Sequence, residues 1–220
     1  MSDYTSQITT PAQPNLGNPG EVYDRLFFSQ TFSNIGNYAK RITNALGALF
    51  GPRGGKYLNA PYGAFQDSTD QVAANTTTAY AITFDTTDFS NGVTLSNSSR
   101  LNVSQDGIYN LQFSIQFKNT INDGQDVDVW FRKNGTNIAN SNSRFHLTQR
   151  KSSGDPSHLI AAMNFFVSLA ANDYVEIMWR PTDVGVSLEH FATSSSPTRP
   201  AVPSVIATLS FVSNLSVETA

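Results

Sequence analysis

Gly107-Ile108-Tyr109-Asn110-Leu111-Gln112-Phe113-Ser114-Ile115-Gln116-Phe117 is the stretch that decides the fold. Tyr109, Leu111, Phe113, Ile115 and Phe117 alternate with Asn110, Gln112, Ser114 and Gln116. A period of two with one dry face and one face of amides and hydroxyls is the pattern of a half-buried strand. The same period recurs on both sides. Tyr80, Ile82 and Phe84 alternate upstream, and Val127, Val129 and Phe131 run into the hairpin turn Asn134-Gly135. Leu159, Ala161, Met163, Phe165, Val167 and Leu169 follow, then Tyr174 to Trp179, entered through the turn Ala171-Asn172-Asp173. Val184, Val186 and Leu188 suggest a shorter strand. The chain closes with Val205, Ala207, Leu209 and Phe211 alternating with Ile206, Thr208, Ser210 and Val212. Eight to ten short strands with turn punctuation predict a mainly β domain over residues 61–220, an antiparallel jelly-roll sandwich.

Two of these strands are apolar on both faces. Leu159–Leu169 also carries Ile160, Ala162 and Phe166, and the closing strand also carries Ile206 and Val212. One face can pack on a second sheet, but the other needs cover of its own, because large apolar patches are rare on the surfaces of monomers. An oligomer is therefore expected, with contacts drawn from Tyr109, Phe113, Phe165, Ile206, Leu209 and Phe211.

Residues 1–60 read differently. Pro11, Pro14 and Pro19-Gly20 interrupt the first 20 residues and predict an extended arm. Asn18 as cap, Pro19 at the first helical position and Glu21 then signal a helix start. Val22, Leu26, Ile35, Tyr38, Ile42, Ala45, Leu46, Leu49 and Phe50 recur at spacings dominated by three and four, an amphipathic helix with a break expected near Ser33–Gly36 and a stop at Gly51-Pro52. This stripe packs on its own domain, or docks or trimerises against another chain. Leu26, Ile35, Tyr38, Ile42, Leu46, Leu49 and Phe50 are the candidate docking residues. A membrane-surface helix fits less well, since the polar face is mostly Asn, Ser and Thr rather than Lys-rich.

Composition narrows the chemistry. Of 220 residues 14% are charged, against about 25% in a typical globular chain, and Asn, Ser and Thr make up roughly 30%. Those side chains favour turns and strand faces over helix interiors. With a net charge of -3 and no Lys/Arg run longer than two residues, a nucleic-acid backbone is not an expected partner. The absence of cysteine removes disulfides, thiolate metal sites and cysteine nucleophiles. No apolar run reaches the ~20 residues of a membrane span, and the N-terminus lacks the pattern of a secretory signal.

No enzyme, metal or cofactor is expected. His146, His158 and His190 lack a metal-ligand spacing, no Gly-x-Ser-x-Gly elbow is present, and Asp123-Gly124-Gln125-Asp126-Val127-Asp128 reads as a solvated turn rather than a calcium loop. Asp67, Asp70, Asp85 and Asp88 read the same way. Carbohydrate binding is the serious rival to a purely structural role. Trp130 and Trp179 are the candidate sugar-stacking residues, with Tyr62 and Phe191 as further aromatics. Arg132, Lys133, Arg144, Arg150 and Lys151 form a basic stretch for which a solvated surface is the default reading.

Strand order and motifs resemble the jelly-roll domain of complement-type globular heads and tumour-necrosis-factor-like ligands. Gly107-Ile108-Tyr109-Asn110-Leu111-Gln112-Phe113 looks like the family's Gly-x-Tyr-x-Phe strand. Val127-Asp128-Val129-Trp130-Phe131-Arg132-Lys133-Asn134-Gly135 looks like its Asn-Gly hairpin. Leu169-Ala170-Ala171-Asn172-Asp173-Tyr174-Val175-Glu176-Ile177 looks like its Leu-x-x-Gly-Asp-x-Val-x-Leu turn, with Asn172 in the glycine position. Ala207-Thr208-Leu209-Ser210-Phe211 stands at its closing strand, without the usual glycine. The resemblance spans residues ~64–215 and implies a trimer with the closing strand near the threefold axis. An arm and helix followed by a trimeric head in a cysteine-free, Asn/Ser/Thr-rich chain also looks like tailed-phage virion proteins. The expectation is a non-enzymatic, homotrimeric capsid decoration protein in the virion, anchored to other virion proteins by residues 1–60. The alternative is the glycan- or receptor-binding head of a tail fibre, with host surface polysaccharide as its partner.

Overall fold

The computed structural model describes residues 25–50 and 60–213, with helix side chains described through Leu46. Two compact units divide the chain, Met1–Asn59 and Ala60–Ala220. In the first, one helix, α1 (Arg25–Phe50), runs for 26 residues. The expected break at Ser33–Gly36 does not occur. Gly36 costs an exposed helix only about 1 kcal/mol relative to Ala and removes no hydrogen bond, too little to interrupt a helix propagating from both sides. Leu26, Ile35 and Leu46 are exposed, and Tyr38 and Ile42 are half-buried. The arm, Val22, the start signal at Asn18–Glu21, the stop at Gly51-Pro52 and the side chains of Leu49 and Phe50 lie outside the described residues.

The second unit is mainly β. Its strands are β1 (Tyr62–Asp67), β2 (Gln71–Val72), β3 (Tyr80–Ala81), β4 (Thr86–Asn91), β5 (Val93–Ser96), β6 (Arg100–Val103), β7 (Gly107–Asn119) and β8 (Gln125–Lys133). They continue as β9 (Thr136–Asn137), β10 (Ser143–Leu147), β11 (Ser157–Leu169), β12 (Tyr174–Pro181), β13 (Val186–Leu188), β14 (Ser194–Ser195), β15 (Thr198–Arg199) and β16 (Val205–Ser213). One sheet runs β4-β1-β16-β7, with β11 on the far side of β7 and the short β13 and β2 also attached through β7. The other runs β10-β8-β12-β6-β5, and the pairings between these strands are antiparallel. Taking β1, β6, β7, β8, β10, β11, β12 and β16 as the eight principal strands in chain order, one sheet reads first-eighth-third-sixth. The other reads second-seventh-fourth-fifth.

Alternation explains how the layers meet. On β7 the odd-numbered apolar residues point inward, and register carries them across neighbouring strands: Tyr109 stands opposite Val167 and Phe211, Leu111 opposite Phe165 and Leu209, Ile115 opposite Ala161 and Val205. The inner face of the second sheet supplies Val127, Val129, Phe131, Val175, Ile177 and Trp179. Rings lock the two layers together, Phe113 at 6.0 Å from Phe131, Phe131 at 4.8 Å from Phe165 and Phe117 at 6.1 Å from Trp179. Offset and edge-on contacts at these separations add to the burial of area.

This packing corrects part of the expected interface. Tyr109, Phe113 and Leu209 are buried in the chain's own core, and Phe165 and Phe211 are half-buried against it. The first three leave no surface for a neighbour, because the facing sheet already covers them. Ile206, on the opposite parity, stays 43% exposed, as do Ile160 at 62% and Phe166 at 57%. The predicted strand at Tyr80–Phe84 pairs only over Tyr80–Ala81, yet Ile82 and Phe84 still enter the core through loop backbone bonds to Ile177 and Ser98.

The motif residues do structural work. Gly107 lies under the Phe211 ring, which a Cβ there would strike. Asn134 (φ 48°) and Gly135 (φ 81°) make the left-handed hairpin turn, and Asn172 (φ 71°) takes the left-handed position where glycine is usual. Asn tolerates that conformation. These two turns meet. Asn134 Nδ2 donates to Asp173 Oδ1 at 2.7 Å, the Tyr174 amide donates to Asn134 Oδ1 at 3.0 Å, and Lys133 pairs with Asp173 at 2.8 Å.

Candidate functional site

On β8 the inward turn of Val127, Val129 and Phe131 forces Asp128, Trp130 and Arg132 outward. Antiparallel register sets Arg144 of β10 opposite Asp128 on one side and Arg180 of β12 opposite it on the other. The result is a row, Arg144–Asp128–Arg180, across the outer face of the second sheet. Arg144 grips Asp128 with two hydrogen bonds, Nε to Oδ1 at 2.9 Å and Nη2 to Oδ2 at 3.0 Å, and Arg180 Nη1 approaches Oδ2 at 3.4 Å. Hydrogen bonding by Arg144, opposed by burial and helped by Asn142, holds the Asp128 carboxyl below its ordinary value near 3.8. Asp128 is therefore a fixed carboxylate.

Trp130 is half-buried beside this row, and its Nε1 donates to Asn137 Oδ1 at 2.9 Å, which also accepts from Arg132 Nε at 3.2 Å. The segment after β9 is pinned by the buried Ser141. Its hydroxyl accepts from the Phe131 amide at 3.1 Å and donates to the Ile138 carbonyl at 2.8 Å. Asn140, in the left-handed conformation at φ 59°, and Asn142 flank that anchor. Arg180 is held from the other side by the Thr76 carbonyl at 2.6 Å, in a turn where Asn75 Oδ1 accepts from the amides of Thr77 and Thr78. Asp128, Trp130, Asn137, Ile138, Asn140, Asn142 and Arg180 line an open cleft of about 320 Å³.

The arrangement offers one aromatic side chain, a clamped carboxylate, a guanidinium and three carboxamides. It suits recognition of a hydroxyl-rich ligand by stacking and hydrogen bonds. His146 bonds Asp126 at 2.8 Å and His158 bonds Glu189 at 2.6 Å, and the hydroxyl bonded to Asp126, that of Thr182, meets its backbone and not its carboxylate. No group of three or more His, Cys, Asp or Glu suited to a metal forms among the described residues.

Placement sorts the candidates. Trp130 reaches the cleft. Trp179 does not: at 1% exposure it fills the core between Tyr80 and Phe117, because it has the inward parity of Val175 and Ile177. Tyr62 lies elsewhere, beside Phe89 on paired strands, and Phe191 stands against His158. The basic stretch disperses to separate partners: Arg132 to Asn137, Lys133 to Asp173, Arg144 to Asp128 and Arg150 to the Thr120 carbonyl. Sequence reasoning took Asp128 for part of a solvated turn, whereas it is buried on β8 and paired with Arg144, and it missed Arg180 and the Asn137–Asn140–Asn142 set. The available signal was parity, since Asp128 and Trp130 share one face of a strand whose other face is Val-Val-Phe. Comparison with protein-family models and with curated protein sequences gives no match for this chain.

Proposed function

We propose that the chain is a non-enzymatic structural protein of a tailed-phage virion, a homotrimeric capsid decoration protein whose jelly-roll head is anchored to other virion proteins through residues 1–60. In support of the jelly-roll reading, the eight principal strands lie in two antiparallel sheets in the order first-eighth-third-sixth against second-seventh-fourth-fifth. The observation that carries the trimer is the outward face of β11, β7 and β16. Ile160, Phe166, Ile206 and Val212 stay exposed there, and register puts Ile206 in one row with Ser114 and Ala162. Apolar side chains exposed together on a sheet face, as these are among the described residues, favour cover by a neighbouring subunit. The threefold contact thus uses the outward residues of the strands first singled out, Ile206 among them. The Asn/Ser/Thr-rich, cysteine-free composition suits a display protein stabilised by packing. Deleting residues 1–60 is expected to leave a folded trimeric head that no longer sediments with particles. A truncated protein that still docks would sink the anchoring role.

The cleft around Trp130 favours a second reading, a head that binds host surface polysaccharide at the tip of a fibre. That reading predicts saturable binding on a glycan array and its loss in Trp130→Ala. An array without hits removes it.

A further inference from the structure

Helix α1 holds a pattern finer than its amphipathic stripe. Phe28, Phe32, Ile35, Ala39, Ile42, Leu46 and Leu49 follow one another at spacings of four, three, four, three, four and three. This is a strict heptad, with Phe32, Ala39 and Leu46 at a and Phe28, Ile35, Ile42 and Leu49 at d. The remaining positions agree. Gln30, Asn37 and Asn44 occupy f, and Ser33, Asn34, Lys40 and Arg41 occupy the adjoining b and c positions. On the seam Phe32 is 70% exposed, Ile35, Ala39 and Leu46 are also exposed, and Ile42 is half-buried.

A repeat of 3.5 on a helix of 3.6 residues per turn drifts by ~20° per heptad. It stays in contact along its length only with a partner that winds around it with the same repeat. A general docking surface, or packing within one domain, asks for no such spacing. The partner that carries this repeat is another copy of the helix. The number of copies follows from the seam chemistry. Parallel dimers prefer a β-branched residue at a with Leu at d, whereas Leu at a with Ile at d shifts preference to three or four strands. No β-branched residue stands at a here, and Ile35, Ile42 and Leu46 follow the second pattern, Leu49 at the end of the seam being the exception. Positions e and g hold Ser29, Thr31, Gly36, Tyr38, Thr43 and Ala45, without a charge to restrict the seam to its a and d residues.

We infer that residues 28–49 of three copies form a parallel, in-register coiled coil, so that the helix is an assembly stem and its apolar seam is not the surface that docks on another protein. This rests on the helix itself and not on the proposed function of the head.

The chain has no cysteine, so a single introduced thiol reports on one position. In the full chain, Ile42→Cys brings identical thiols together at the seam, and Asn44→Cys at f points them apart. Contact at the seam raises the effective thiol concentration towards the millimolar range, so at micromolar protein the Ile42→Cys chain should cross-link at least about tenfold faster than Asn44→Cys under mild oxidant. Sedimentation equilibrium of the unmodified chain is expected at three times 24.0 kDa, and Ile35→Asp with Ile42→Asp should lose helical circular dichroism while the β signal stays. Equal cross-linking at the two positions in a trimeric chain overturns the stem and leaves a head-driven trimer standing. Cross-linked stems in a chain whose mass is insensitive to Phe166→Asp and Ile206→Asp keep the stem and overturn the head contact. A monomer whose Ile42→Cys thiol resists alkylation means that the chain's own arm covers the seam, and a stable dimer rejects the trimer. Both overturn the inference.

Discussion

The two outer faces of the sandwich are built by the same alternation and differ in charge over their central rows, although that of the first sheet also carries, at one end, the row His158–Lys118 bonded to Glu189. Outside β11, β7 and β16 the row at Ser114 carries Ala162 and Ile206, and the next carries Asn164, Gln112 and Thr208. These rows are neutral, with Ile160, Phe166, Ile206 and Val212 exposed. Outside β10, β8 and β12 the rows are charged and mutually bonded, Arg144–Asp128–Arg180 with His146–Asp126 beside it. A neutral face desolvates cheaply and can be covered by a subunit. A face of fixed charges costs more to dehydrate unless the ligand replaces each bond, so it favours small polar ligands or water.

The comparison breaks most completely where both faces depend on one residue. Phe131 is fully buried and touches rings from the opposite sheet. Phe131→Ala should cost about 3–5 kcal/mol, lowering the denaturation midpoint and disturbing both faces together; loss confined to the Trp130 cleft would mean that the sheets are held independently.

Asp128 tests the charged face alone. Asp128→Ala removes the shared acceptor of Arg144, Arg180 and Asn142 and should cost about 1–3 kcal/mol, without changing oligomer mass. Its pH signature has a definite sign. The native carboxyl lies below its ordinary value, so the unfolded chain takes up that proton first on acidification. The stabilisation is present above the unfolded value near 3.8 and fades as pH falls through the lower native one. Acid titrations of the parent and Asp128→Asn should therefore converge in strongly acidic solution; a gap that stays constant there argues against this ion pair as its source.

The neutral face gives the smallest effect on the fold and the clearest on assembly. Phe166→Asp with Ile206→Asp should change the stability of the isolated chain by no more than about 0.5 kcal/mol per site, as exposed substitutions do. Light scattering should nevertheless show weakened trimers, and an unchanged mass at low protein concentration would move the subunit contact elsewhere.

Much of the head was legible as sequence. The period-two runs located β7, β8, β11, β12 and β16, and the Asn134-Gly135 and Asn172-Asp173 turns adopt the backbone that their residue types favour. The first sheet's β1 and β4 were not foreseen, because Tyr62-Gly63-Ala64-Phe65 and Thr86-Thr87-Asp88-Phe89 lack clean alternation; their pairing is supplied by the neighbouring strands, across a register shift between Ala64 and Phe65. Of the cleft, Trp130 was visible. Arg180 and Asn142 were not, since register brings the first to it and the loop pinned by Ser141 brings the second.

By itself the sequence determined that the head is a cysteine-free antiparallel β structure with Asn-led turns, and that a helix with one apolar stripe precedes it. Local conformational preference and periodicity suffice for that. Tertiary structure decided which parity of each doubly apolar strand is buried. Phe165 and Phe166, or Leu209 and Ile206, are equally apolar to a reader of sequence, and only the position of the opposing sheet puts one in the core and the other on the surface. It decided equally that Trp179 is core and Trp130 is cleft, since a strand's inside is defined by what packs on it.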